Sequence, residues 1–271
     1  MKTGRAKSGN VEIAYSVEGD GPETVLLVMG LGGRAADWGT AFPSELARRY
    51  RVVRMDNRGV GASPRAEGGY ELSDLARDTT AVLDALGTEK AHYCGVSMGG
   101  MISQLAALEH APRIDKLVLL STHFGGHGVV PPTPLAMRLF DPGEFLSRGR
   151  DPVAMMQFTI SVITAPGFAE KHPEVVTTLL ENVRREPTDP RAFLAQVQAI
   201  IGSDRSEKVQ GIRAKTLVVH GTEDQLIPVG NGKALAERIP GSKLVLFEDC
   251  GHMPMWEKPA ELAREVLSFL G

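Results

Sequence analysis

The chain has 271 residues, 42% of them apolar and 23% charged, with a formal net charge of −3. That length suits one large α/β domain with an extensive core, and a weakly acidic balance offers no basic field for nucleic acid. Two cysteines do not make a disulfide framework, and the apolar stretch Val25–Met29 is far too short to cross a bilayer.

The first ten residues, MKTGRAKSGN, are basic with no apolar run behind them, which argues against a secretory signal and for a cytoplasmic protein with both thiols reduced. They open a predicted hairpin, Lys2–Lys7 and Val11–Val17 around the turn residues Ser8-Gly9-Asn10. Short apolar runs follow at Thr24–Met29, Arg51–Met55, Ala91–Cys94, Lys116–Leu120, Thr216–His220 and Lys243–Phe247. Continuous runs of this length suit parallel strands covered on both faces. Amphipathic segments lie between them: Leu72–Leu86, stopped by Gly87, then Gly100–His110, Lys233–Ile239 and Glu261–Leu270, the last with Pro259 near its start. The alternation predicts a mostly parallel sheet with helices on both faces.

One segment, from about Phe124 to Gly211, breaks the pattern and holds nine of the 17 prolines. Asp151-Pro152 and Asp189-Pro190 each place a capping Asp before a first-turn Pro. Val175, Val176, Leu179, Leu180 and Val183 make one apolar helical face, and Phe193, Leu194, Val197, Ile200 and Ile201 another. The expected organisation is a core of residues 1–123 and 212–271 with a helical cap, 124–211, inserted over the sheet.

The sequence Gly95-Val96-Ser97-Met98-Gly99 is G-x-S-x-G, entered from a predicted strand and left by a predicted helix. So sharp a reversal strains the central residue, favours glycine two positions away on either side, and lifts the serine hydroxyl clear of the C-terminal sheet edge, where open α/β sheets bind ligands. A serine hydroxyl needs a base. His252, in the loop Cys250-Gly251-His252-Met253-Pro254, is the candidate; His220 suits a backbone role, and His123 is expected to line the same pocket. The base needs an orienting carboxylate. Asp224, in Gly221-Thr222-Glu223-Asp224, is preferred to Glu223, one residue out of phase, and to Asp249, too near the histidine in the chain. Backbone N–H groups of Met98 and of Leu31, in the glycine-rich loop Met29–Gly33, are the expected oxyanion donors. The seven histidines fall into no metal-binding spacing, and neither a metal nor a cofactor is expected.

These residues together resemble the α/β-hydrolase family over nearly the whole chain. The further matches are Asp56-Asn57-Arg58-Gly59-Val60-Gly61-Ala62-Ser63, in which Asp56 and Arg58 read as a structural brace, then Gly221–Pro228, and Gly251-His252 followed by Trp256-Glu257. The resemblance implies an eight-stranded sheet with its second strand antiparallel, and is strongest to bacterial esterases and enol-lactonases with a helical cap. Many members place His-Gly before the oxyanion loop where this chain has Met29-Gly30. Family positions that carry the acid after the strand before the insertion are Ser121-Thr122 here, which strengthens Asp224. The implied chemistry is hydrolysis of a small, fairly apolar ester or lactone through an acyl-Ser97 intermediate, with Met155, Met156, Phe158, Ile160 and Val162 as candidate pocket linings. Carbon–carbon hydrolysis, cofactor-free perhydrolysis, cyanohydrin cleavage and a receptor role with little turnover stay open on the same residues.

Overall fold

The computed structural model describes residues 1–141, 143–144 and 151–271. The strands are β1 (Lys2–Ser8), β2 (Val11–Glu18), β3 (Thr24–Val28), β4 (Arg51–Met55), β5 (Ala91–Val96), β6 (Ile114–Leu120), β7 (Lys215–Gly221) and β8 (Lys243–Phe247). They form one sheet in the order β1-β2-β4-β3-β5-β6-β7-β8. Strand β2 runs antiparallel to both β1 and β4, and every later pairing is parallel. The hairpin is thus an N-terminal flap on an otherwise parallel sheet.

The parallel strands from β3 to β7 bury both faces, while β8, at the sheet edge, is only partly covered. In β3, Leu26 and Val28 join one apolar cluster while Val25 and Leu27 join the other, as a period of two demands. The first cluster lies under α2 (Leu72–Ala85) and α3 (Met98–Glu109); the second lies under α1 (Ala41–Ala47) and the C-terminal helix (Pro259–Leu270). Cys94 and Cys250 are free, buried members of the second cluster, and burial pushes both thiol pKa values up.

Between β6 and β7 the chain forms α4 (Pro134–Met137), α5 (Pro152–Ile163), α6 (Phe168–Lys171), α7 (Pro173–Arg185) and α8 (Pro190–Ile201). Asp151 and Asp189 cap α5 and α8 by accepting from the N–H two residues on, with proline at the first helical position. After β7 come α9 (Gly230–Arg238), α10 (Pro254–Glu257) and α11, the C-terminal helix Pro259–Leu270. Phe124 and Val209, near the two ends of the inter-strand segment, pack in the first cluster. No helix among the described residues is long and apolar enough to cross a membrane.

Candidate active site

Ser97 stands between β5 and α3 with φ +56° and ψ −123°, one of three non-glycine residues at positive φ among the described residues. Such a conformation costs roughly 1–3 kcal/mol and persists only where the surroundings impose it. Here the surroundings do. Ser97 N–H donates to the Leu120 carbonyl at 2.9 Å, and its own carbonyl accepts from Thr122 Oγ1 at 2.7 Å and Gly100 N–H at 2.9 Å. A Cβ at Gly99 would lie 1.9 Å from the Val28 carbonyl oxygen, and one at Gly95 would lie 2.2 Å from that of Gly99. Ser97 precedes the first turn of α3 yet its side chain makes no capping bond, so the hydroxyl is not consumed by the helix.

The acid and the histidine reach this edge from β7 and β8. The loop after β8 folds back across the end of β7: Thr222 N–H donates to the Phe247 carbonyl and Glu223 N–H to that of Cys250. A Cβ at Gly221 would stand 2.2 Å from the carbonyl oxygens of Cys250 and Gly251, so the loop seats itself on a bare glycine. His252 Nδ1 then lies 2.7 Å from Asp224 Oδ2, both residues being buried. Asp224 Oδ1 accepts from the N–H groups of Leu226 (3.0 Å) and Ile227 (2.8 Å). Burial alone would raise the Asp224 pKa; the His252 charge and hydrogen bonds from both histidines outweigh it and hold it at about 2. Glu223 and Asp249 are exposed.

His220 bonds the Ile227 carbonyl through Nε2 at 2.6 Å, the backbone role expected of it, and the same nitrogen lies 3.3 Å from Asp224 Oδ2. His123 is largely buried, accepts from Gly125 N–H through Nδ1 at 2.9 Å, and has its pKa pushed down to about 4 by burial and then by Arg205, His252 and His220. The Ser97 hydroxyl makes no hydrogen bond among the described residues, so the pair joined in this structure is Asp224–His252.

The glycine-rich loop after β3 lies against the serine: a Cβ at Gly30 would be 3.0 Å from Ser97 Cβ and 3.6 Å from its Oγ. Asn57 Nδ2 pins the loop by donating to the Met29 carbonyl at 2.9 Å. Asp56 accepts from Ala35 N–H at 2.7 Å and Ala62 N–H at 2.9 Å, and Arg58 holds buried Asp78 through two bonds of 2.8 and 2.6 Å. Neither residue makes a hydrogen bond to Ser97, Asp224 or His252.

Several contacts were not legible in the motifs. Gln196 on α8 accepts from Gly32 N–H at 2.8 Å, and Thr188 donates to the Gly32 carbonyl at 3.2 Å. His252 N–H donates to the Ile163 carbonyl at the end of α5 at 2.7 Å. Half-buried Glu257 accepts from Ala165 N–H (2.8 Å), Gly251 N–H (2.9 Å) and Met253 N–H (3.2 Å), stapling the histidine loop to the residues after α5. Of the five residues expected to line a pocket, Ile160 and Met156 pack in the second cluster, while Val162 is buried outside both clusters and Met155 and Phe158 are half-buried. Among the described residues, the one grouping of three metal-ligating side chains lies away from this site, at the opposite end of the sheet.

Comparison with known proteins agrees with this architecture. The family described as the alpha/beta hydrolase fold matches residues 23–259. A Caulobacter segnis protein bearing the name carbamate hydrolase RutD is 32% identical over 271 residues, covering 97% of this chain and 98% of its own. The structure of the esterase RhEst1 from Rhodococcus superposes with a TM-score of 0.88 at 28% identity, covering 100% of this chain and 98% of that one. The enol-lactonase of Burkholderia xenovorans gives 0.84 at 26%, covering 98% and 99%. With its eight-stranded sheet, its elbow and these relatives, the chain belongs to the α/β-hydrolase fold family.

Proposed function

We propose that the chain is a serine hydrolase of a carboxylic ester or lactone of a small, fairly apolar molecule, with residues 124–211 as a cap over a core of 1–123 and 212–271. The observation that carries this reading is the 2.7 Å bond from His252 Nδ1 to a buried carboxylate held well below its ordinary pKa, beside a serine strained at an elbow. That bond puts the imidazole proton on Nδ1 and leaves the Nε2 lone pair free to take a proton. Ser97 Oγ attacks the carbonyl carbon as His252 takes its proton. The oxyanion is received by the N–H groups of Met98 and Leu31, each worth on the order of 3 kcal/mol of barrier. His252 protonates the leaving oxygen, then activates water against the acyl-Ser97 ester. The serine–histidine hydrogen bond forms as substrate binds, since such contacts are often long before the complex tightens.

A fluorophosphonate probe tests the assignment. Mass spectrometry should find one modified serine, Ser97, and S97A should lower kcat on a nitrophenyl ester by about 10⁶-fold. Near-normal turnover by purified S97A overturns the reading. Carbamate cleavage by the same groups is a second reading, favoured by the name of the Caulobacter segnis relative. A panel of nitrophenyl esters of rising chain length, lactones and aryl carbamates separates the two by kcat/KM.

A further inference from the structure

The N-terminal ends of β3, β5 and β6 hold a second group of chemically capable side chains, at the sheet edge opposite Ser97. His92 on β5 is 2% exposed, and neither of its ring nitrogens has a hydrogen-bond partner. A buried imidazole with both nitrogens unused forfeits on the order of 1–3 kcal/mol per orphaned group. Two carboxylates flank the ring: Asp115 Oδ2 is 3.6 Å from Nδ1, and Glu23 Oε2 is 3.9 Å from Nε2. Both separations are too long for hydrogen bonds. Asp115 thus stands on the Nδ1 side of the ring and Glu23 on the Nε2 side; donor atoms bound at about 2.1 Å to one tetrahedral cation stand roughly 3.4 Å apart, so one carboxylate must come round to the nitrogen that ligates.

The backbone contributes to this arrangement. Pairing between β5 and β6 steps from Ala91↔Ile114 to Tyr93↔Leu117, so β6 carries one extra residue opposite His92. A bulge re-aims a side chain, and here it falls at Asp115 and Lys116. Lys116 reaches away to the carbonyls of Phe269 and Leu270, while Asp115 stays beside the ring. The three residues line a surface cleft of about 290 Å³, open enough to admit an ion and its water.

We propose that Glu23, His92 and Asp115 bind one divalent first-row transition-metal cation. The cation takes one ring nitrogen and one oxygen from each carboxylate, three donor atoms that already lie within 4.8 Å of one another. An imidazole with two carboxylates suits zinc, cobalt or nickel and leaves a position for water. Drawing the set together asks mainly for a rotamer change at Glu23, whose side chain is 58% exposed. Two cations share the cleft. Lys90 Nζ lies 3.5 Å from Asp115 Oδ1, the oxygen turned away from the ring, and Arg51 is occupied with the hydroxyls of Thr24 and Thr88. The ion would tie three adjacent strands together where the sheet begins, a structural role independent of the serine chemistry.

The test uses the full, tag-free chain stripped with chelator, titrated calorimetrically with zinc chloride, with cobalt(II) absorption reporting the ligand field. The wild type should bind one equivalent with a Kd of about 10 µM or tighter and gain a few degrees in Tm. E23Q and D115N, both at accessible positions, should each weaken binding about tenfold or more and abolish the Tm gain, while H252A keeps the affinity. Absence of binding up to ~100 µM zinc, affinity kept within threefold in both carboxylate variants, or binding abolished by H252A overturns the proposal.

Discussion

The amide of a D224N variant has only one orientation available to it, and that orientation removes the base. In the wild type, Asp224 Oδ1 accepts two backbone N–H groups, from Leu226 at 3.0 Å and Ile227 at 2.8 Å, while Oδ2 faces His252 Nδ1 at 2.7 Å and His220 Nε2 at 3.3 Å. An amide nitrogen cannot accept, so the amide oxygen must keep the Oδ1 place and the NH2 must face His252. It then donates to Nδ1, and the imidazole proton moves to Nε2, the atom that must receive the serine proton. The expected loss in kcat is about 10⁴-fold, or roughly 5 kcal/mol of barrier, with KM little changed. Steady-state kinetics on a nitrophenyl ester measure it, and circular dichroism with thermal melting shows that the fold is kept. The acid limb of stability supplies a second readout. The folded pKa of about 2 lies below the ordinary 3.8, so Asp224 contributes stability above pH 3.8 that is lost as pH falls through 2. The amount is about 2 kcal/mol, and D224N should flatten that limb. A folded D224N enzyme with kcat within tenfold of wild type would refute the tautomer argument.

Relief of strain should show at the nucleophile itself: S97A and S97G are both inactive, but S97G should melt about 2–4 °C higher, because only glycine adopts φ +56° freely. Equal melting temperatures would contradict it. Glu257 is a positioning residue, and E257Q can keep its two bonds to Ala165 and Gly251 but turns an NH2 toward Met253 N–H. A loss of about 1–3 kcal/mol in thermal unfolding and a kcat lowered about 10–100-fold at nearly constant KM should follow; unchanged kcat removes the staple from the mechanism. His123 has a folded pKa of about 4 against an ordinary 6.5, so the unfolded chain binds the extra proton between those values. Stability should therefore fall by up to about 3 kcal/mol as pH drops from 6.5 to 4, and H123Q should remove most of that slope in urea titrations at stepped pH.

What the sequence disclosed follows from how local the signals are. Strands Arg51–Met55 and Lys243–Phe247 fall at the expected bounds, because a short continuous apolar run between polar residues marks a strand of a parallel sheet, even at its partly covered edge. Strand β5 runs two residues past Cys94, since the elbow's Gly95 and Val96 still pair with β6. Helix α3 starts at Met98, two residues earlier than Gly100, because the helix begins immediately after the strained serine. One position along the loop separates the exposed carboxylate of Glu223 from the buried one of Asp224, a difference in phase that the chain order of the loop carries. Contacts between distant segments left no local trace. Gln196 beneath Gly32, Ile163 above His252 and the meeting of Glu23, His92 and Asp115 on three strands carry no spacing that periodicity detects.

Those distant contacts also constrain how the segment between β6 and β7 can move. It holds the glycine-rich loop through Gln196 and Thr188, and the histidine loop through the Ile163 carbonyl and Ala165 N–H. Arg34, buried beside Asp37, adds bonds of 2.7 and 2.8 Å to the carbonyls of Asn182 and Glu186 at the end of α7. Swinging the whole segment away would break these bonds together and leave buried donors unpaired, at about 1–3 kcal/mol for each. A rigid-body opening is therefore expensive, and it would also disorder the loops that carry His252 and the Gly32 backbone. Val130 and Thr133 are bonded to Asn231 and to Gln225, beside the acid, but, among the described residues, 134–141 make no hydrogen bond to the glycine-rich, histidine or acid loop: Leu135, Met137 and Phe140 present apolar side chains to solvent, and α4 is a single short turn. Substrate access by local displacement of residues 134–141 leaves the serine, histidine and acid in register, whereas access by whole-segment opening would dismantle them.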